Sequence, residues 1–264
     1  MTWEEAVAWL RDQPDQKALV EACFFDDPLA GAARRFRACT EWTATRGLLP
    51  PPPGRALDLG AGRGIASYAL AEDGYAVTAL EPDPSELVGA GAIKALAATT
   101  GGRIDVVENW GEELPFPDDS FDLVLCRQVL HHARDLNELL RQIKRVLKPG
   151  GRVLATREHV LSKREDLPIF LEQHPLHKLY GGENAFLLSE YHQAIAGAGL
   201  KLVKSLNPLR TDINLFPMTL DDHRALLARR WRIPAFVIPD WVLGRVGERM
   251  DFPGRLYTFL ALKP

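Results

Sequence analysis

Apolar positions follow two regimes along the chain. Up to residue 48 they recur at helical spacing, as in Trp3, Val7 and Leu10 and later Phe36, Cys39 and Thr40. The run Pro50-Pro51-Pro52-Pro53-Gly54 stops any helix and stiffens the chain. The pattern therefore predicts an N-terminal helical cap over residues 1–49. From residue 54 short apolar runs alternate with helical stretches. Strands are expected at 55–59, 76–80, 104–108, 121–126 and 152–156, and helices at 65–71, 86–98 and 136–147, the last halted by Pro149-Gly150-Gly151. A helix at 190–198 ends at Gly199, and strands follow at 200–206 and 255–262. Segments near 158–188 and 215–252 break the rhythm and read as insertions; the second carries Trp231, Phe236 and Trp241. The alternation implies an α/β domain over 54–264, with a mostly parallel seven-stranded sheet covered by helices on both faces. Ligands of such sheets sit at the carboxyl ends of the strands.

Composition narrows the partners. Lys+Arg 32 against Asp+Glu 35 gives a net charge of -3, which argues against bulk attraction to nucleic acid or anionic membranes. The three cysteines, Cys23, Cys39 and Cys126, form no metal-like spacing and suit a reducing compartment. The start Met1-Thr2-Trp3-Glu4-Glu5 is acidic where a signal peptide is basic, and no window has the apolar length of a membrane span. These features predict a cytoplasmic protein with a small-molecule partner, no nucleic acid and no integral membrane association. They leave the oligomeric state open, a homodimer included.

The candidate chemistry begins at Ala56-Leu57-Asp58-Leu59-Gly60-Ala61-Gly62-Arg63-Gly64, a strand running into alternating glycines before a helix. Glycine permits positive φ and a close approach of backbone to ligand. A dinucleotide fingerprint would place its third glycine at Ile65, and no Gly-Lys-Ser/Thr follows for a phosphate loop. Asp58 sits inside the strand, where a carboxylate needs a donor or a cation. Glu81 ends the second strand, where a carboxylate can accept both hydroxyls of a ribose.

Together with these, three further blocks carry a family resemblance: Leu80-Glu81-Pro82-Asp83; Glu113-Leu114-Pro115-Phe116-Pro117-Asp118 running into Ser120-Phe121-Asp122-Leu123-Val124; and Val129-Leu130-His131-His132 followed by Leu147-Lys148-Pro149-Gly150-Gly151. In this order they resemble the class I S-adenosylmethionine-dependent methyltransferases, and among those the small-molecule group that includes ubiquinone and menaquinone biosynthesis C-methyltransferases. The resemblance implies a Rossmann-like methyltransferase fold. It also implies methyl transfer from S-adenosylmethionine to oxygen, nitrogen or carbon of a small or medium-sized acceptor, releasing S-adenosylhomocysteine. On matching positions it implies that Gly60, Ala61 and Gly62 pass the methionine portion and that Asp58 helps hold its amino group. Glu81 would bind the ribose with Pro82 beside the adenine, and Gln128 would lie near the methionine end. The usual adenine-binding Asp is replaced by Trp110, so Trp110, Gly111 and Glu112 are the expected substitutes.

Methyl transfer from a sulfonium needs alignment and exclusion of water, and a base only where the acceptor must lose a proton. His159 is the first choice for that base or for orienting the acceptor, and His132 the second, with a structural role open to both. The stretch His174-Pro175-Leu176-His177-Lys178-Leu179-Tyr180-Gly181-Gly182-Glu183-Asn184 suggests acceptor recognition; its spacing enforces no metal, and none is assigned. Two rivals stand beside this reading: a nucleoside-cofactor-dependent oxidoreductase and a non-catalytic scaffold retaining the pocket.

Overall fold

The computed structural model describes residues 1–264. Four helices precede the sheet: α1 (Trp3–Arg11), α2 (Lys17–Ala22), α3 (Leu29–Ala38) and α4 (Thr40–Arg46). Strand and helix then alternate through β1 (Arg55–Leu59), α5 (Ile65–Glu72), β2 (Ala76–Leu80), α6 (Ala90–Ala97), β3 (Ile104–Val107), β4 (Phe121–Arg127), α7 (Leu136–Val146) and β5 (Leu147–Leu161). The chain continues with α8 (Leu167–Gln173), α9 (His177–Tyr180), β6 (Phe186–Leu187), α10 (Leu188–Gly197), β7 (Lys201–Leu206), α11 (Leu220–Trp231), α12 (Asp240–Glu248) and β8 (Arg255–Leu262). No helix is long and apolar enough to cross a membrane.

The sheet order is β3-β2-β1-β4-β5-β8-β7, with β6 paired to β5. It is parallel except where β8 lies antiparallel between β5 and β7. The order reverses between β1 and β4, so the crevice for a ligand opens at their carboxyl ends. Alternation along β1 divides the core: Leu57 and Leu59 face α7 and α10, and Ala56 faces the side covered by α3 to α6. Helix α7 shows why its segment is helical. Asp135 caps it by accepting from the backbone of Asn137 and Glu138 at 2.9 and 3.0 Å. Leu136, Leu139, Leu140, Ile143 and Val146 make one buried stripe, each side chain stabilising by ~1.5–3 kcal/mol.

Three expectations change. The prolines do not isolate a cap: Phe24, Phe36, Trp42 and Leu49 share one core with Ala56, Leu70 and Leu123. Asp73 ties that layer down by accepting from Arg37, Trp42 and Arg46. The sheet has eight strands rather than seven, because the two-residue β6 adds to β5. Lastly, β5 runs on to Leu161, so 158–188 is not wholly inserted and His159 lies within a strand. Arg157 takes φ 59 at an irregularity between Ala155 and Glu158, after which pairing with β8 resumes.

Candidate functional site

The loop after β1 is fixed by backbone bonds. Gly60 and Ala61 both donate to the carbonyl of Leu80, at 2.9 and 3.1 Å. Gly60 has φ 65, and a Cβ there would meet Val129 Cγ2 at 2.8 Å, so the loop closes tightly on the turn after β4. Gly62 differs: a Cβ would find only the Val88 carbonyl at 4.0 Å, so its face is open. Glu81 lies beside this opening, accepting from the backbone of Gly62 at 2.7 Å and of Asp83 at 3.0 Å. Burial pushes its carboxyl up, and those two donors offset part of the rise. Pro82 follows it directly. Asp58 is buried at the end of β1 and accepts from Ser67 Oγ at 2.6 Å; burial raises its carboxyl to about 7.

Arg63 hooks the loop to the helical layer. Its buried guanidinium donates to the carbonyls of Phe24 and Asp26 and pairs with Asp27 at 3.0 Å. Arg127 at the end of β4 and Arg157 in β5 converge on the buried Glu41, at 2.6 and 3.6 Å, placing two guanidiniums on one carboxylate. Gln128 sits between these groups and the loop with φ 59, and Arg127 donates to its side chain at 3.3 Å.

The substitutes expected for the adenine contact have partners of their own. Trp110 is 57% exposed with Arg134 stacked 4.9 Å from its ring. Glu112 accepts from the Arg134 backbone at 3.0 Å, and a Cβ on Gly111 would strike Leu139 at 2.9 Å, so its Cα faces the core. Arg210 and Asp212 serve structure, pairing with Glu248 and the Leu220 backbone.

The histidines meet at the ends of β4 and β5. The fully buried Glu158 accepts from the backbone of Val129, Leu130 and His131, each at 3.1 Å, and from His131 Nδ1 at 2.7 Å. On the other side of the ring, His131 Nε2 lies 3.6 Å from Glu183. Burial alone would depress His131, but the hydrogen bond to Glu158 and the neighbouring Glu183 carboxylate outweigh it and raise the imidazole to about 9. Burial would raise Glu183, yet the histidines around it, His131 first, bring it to about 2. Tyr180 donates to Glu183 at 3.0 Å, and Trp3 packs 4.8 Å from the Tyr180 ring. His159 Nδ1 faces the Gly254 carbonyl at 2.9 Å, which only accepts, so Nδ1 carries the proton and Nε2 is free. Burial and the charge on His131 take His159 down to about 3. His132, with a side chain 37% exposed, donates from Nδ1 to the Gly182 carbonyl at 3.0 Å; its Nε2 is 4.0 Å from Glu183. Burial and His131 lower it as well.

The structure thus brings Gly60, Ala61, Gly62 and Glu81, with Asp58 and Pro82 next to them in the chain, to the ends of β1 and β2, and gathers His132 and His159 around His131; Gln128 follows β4, and Trp110 and Glu112 contact Arg134. Sequence reasoning missed Glu158, Arg127 and Arg157. The only local sign of them was a charged run following the apolar part of β5. In the second irregular segment Phe236 is 86% exposed and Trp241 64%, so these aromatics are not core.

Residues 57–155 match the family described as a methyltransferase domain. A ubiquinone/menaquinone biosynthesis C-methyltransferase of Vibrio vulnificus is 34% identical over 55% of this chain and 53% of its own length. A ubiquinone biosynthesis O-methyltransferase of Rhizobium johnstonii is 26% identical over 77% and 84%. The solved geranyl diphosphate methyltransferase, in complex with GPP and sinefungin, superposes with a TM-score of 0.61 at 17% identity, over 90% of this chain and 84% of that one. The chain spans about half or less of the length of the first curated relatives it matches, 39% and 53%. Residues 57–155 thus carry a methyltransferase domain, and the sheet built around it shares the Rossmann-like fold of solved methyltransferases.

Proposed function

We propose that the chain transfers a methyl group from S-adenosylmethionine to a small or medium-sized molecule and releases S-adenosylhomocysteine. The observation that carries this is the open face of Gly62 beside the Glu81 carboxylate at the switch point of the sheet. Each Glu81 oxygen takes one backbone donor and keeps a lone pair for a ribose hydroxyl. Asp58, raised to about 7 by burial, releases its proton to solvent when a cofactor ammonium comes beside it, and the carboxylate then accepts from that ammonium. The excess positive charge of Arg127 and Arg157 over Glu41 suits a carboxylate at the methionine end, next to Gln128.

The acceptor lies between the turn after β4 and the His174–Asn184 segment. Its nucleophilic atom bonds to the methyl carbon as the carbon–sulfur bond breaks, and the electron pair stays on sulfur. Where the acceptor is a hydroxyl or an amine, its proton passes to His132 Nε2. That nitrogen is free because Nδ1 donates to Gly182, and Glu183 stands ready to pair with the imidazolium. This favours His132 over His159, which at about 3 binds a proton too weakly to act near neutrality. The acceptor atom, O, N or C, is set by the same segment. The three unpaired cysteines support a reducing, cytoplasmic setting.

Calorimetry with S-adenosylhomocysteine and with NAD(H), followed by incubation with labelled S-adenosylmethionine and a metabolite extract, tests this reading. Binding of the thioether with label in a product is expected. Binding of NAD(H) alone makes the chain an oxidoreductase, and binding without transfer makes it a scaffold.

A further inference from the structure

We propose that His131, His159 and Glu183 form a site for one divalent first-row transition-metal ion of the zinc class. Their ligand atoms all lie within 4.8 Å of one another, with His131 Nε2 and Glu183 Oε2 at 3.6 Å. Ligands of a tetrahedral zinc, bound at about 2.0–2.2 Å, stand roughly 3.3 Å apart, so the widest separation needs to close by up to about 1.5 Å. Glu183 follows Gly181 and Gly182, both at positive φ, which gives its segment the freedom to make that movement.

Both imidazoles are prepared for a metal. A ligating histidine characteristically donates its other ring N–H to a carboxylate or a carbonyl. His131 donates from Nδ1 to Glu158, and His159 from Nδ1 to Gly254. Nε2 of each is thereby left free for a metal, and that of His131 faces Glu183. The anchors are rigid: Glu158 also fixes three backbone N–H groups around His131, and Gly254 begins the approach to β8. Two imidazoles and a carboxylate suit zinc and its neighbours better than magnesium or calcium, which prefer oxygen alone. Two carboxylates, Glu158 and Glu183, face the cluster and offset the charge of a divalent ion. Three protein ligands leave a position for water or for an oxygen of the acceptor. His132 and His174, at 4.0 and 3.9 Å from Glu183, flank that position.

The full chain, without a histidine tag and stripped with chelator, is titrated with Co2+ and then Zn2+ in the absence of S-adenosylmethionine. The outcome is therefore independent of the methyltransferase reading, which cofactor calorimetry tests separately. One equivalent of Co2+ should bind with the visible bands of a four- or five-coordinate centre and be displaced by one equivalent of Zn2+. His159→Gln and Glu183→Gln should each weaken binding at least about tenfold, and Glu158→Gln by roughly 10–100-fold through the orientation of His131. His192→Ala, whose ring pairs with Ser205 outside the cluster, should bind as the unaltered chain does. Circular dichroism identifies any variant that does not fold, and the spectrum of the unaltered chain then decides alone. No stoichiometric binding, an octahedral oxygen-ligand spectrum, or folded variants that bind undiminished would overturn the site.

Discussion

The two halves of the crevice are built from different materials. On the side of β1 and β2, positions are set by backbone: Gly60 and Ala61 bond the Leu80 carbonyl, and Gly62 and Asp83 donate to Glu81. On the side of β4 and β5, positions are set by buried side chains of opposite charge, with Glu158 and Glu183 either side of His131. A backbone cradle accepts one shape of ligand. A side-chain cluster changes its ligand with a few substitutions while the sheet stays the same.

This contrast makes four predictions. Glu158→Ala removes the acceptor of four hydrogen bonds and strands His131, so it should cost about 3–5 kcal/mol, read as a fall in denaturant midpoint. Unchanged stability would mean that the side-chain half does not depend on that charge. Asp58 comes next. Its carboxyl is near 7 in the fold against an ordinary 3.8, so between those values the folded chain holds a proton that the unfolded chain has released. Its contribution is full below about pH 4 and is lost as pH rises to about 7, a fall on the order of a few kcal/mol. Asp58→Asn should flatten that slope in melts taken across the range.

Glu81→Ala should weaken S-adenosylhomocysteine by ~1.5–3 kcal/mol in calorimetry while leaving the fold intact. Equal affinity would remove the ribose from Glu81. The smallest effect is expected at Trp110→Ala, ~0.5–1 kcal/mol in stability from the lost stacking on Arg134. Cofactor affinity should not change, and a clear loss would return the indole to the adenine.

The same contrast explains how much could be read from the chain alone. The backbone half was legible because Gly60, Gly62 and Glu81 have local reasons to occupy their positions: positive φ at the glycines and the end of a strand for the acid. Strand alternation along Ala56–Leu59 and the stripe of α7 were readable for the same reason. The side-chain half was not. Glu158 reads as the polar end of a strand, yet the left-handed Arg157 lets β5 continue and keeps Glu158 beneath His131. Glu183 lay in a segment already marked by its polar density, but its company with His131 and His132 depends on chain separations that no local pattern encodes. At Trp110 the sequence suggested stacking on a ligand and gave no sign that Arg134 lies over the ring.

The packing of Trp3 on Tyr180, whose hydroxyl grips Glu183, makes the amino-terminal helix a prop for an acid far along the chain. Substitution of Trp3 should therefore be felt at Glu183, across the whole length of the chain between them. A fluorophore at the Trp3 contact itself would report directly when the acid shifts to meet its guest.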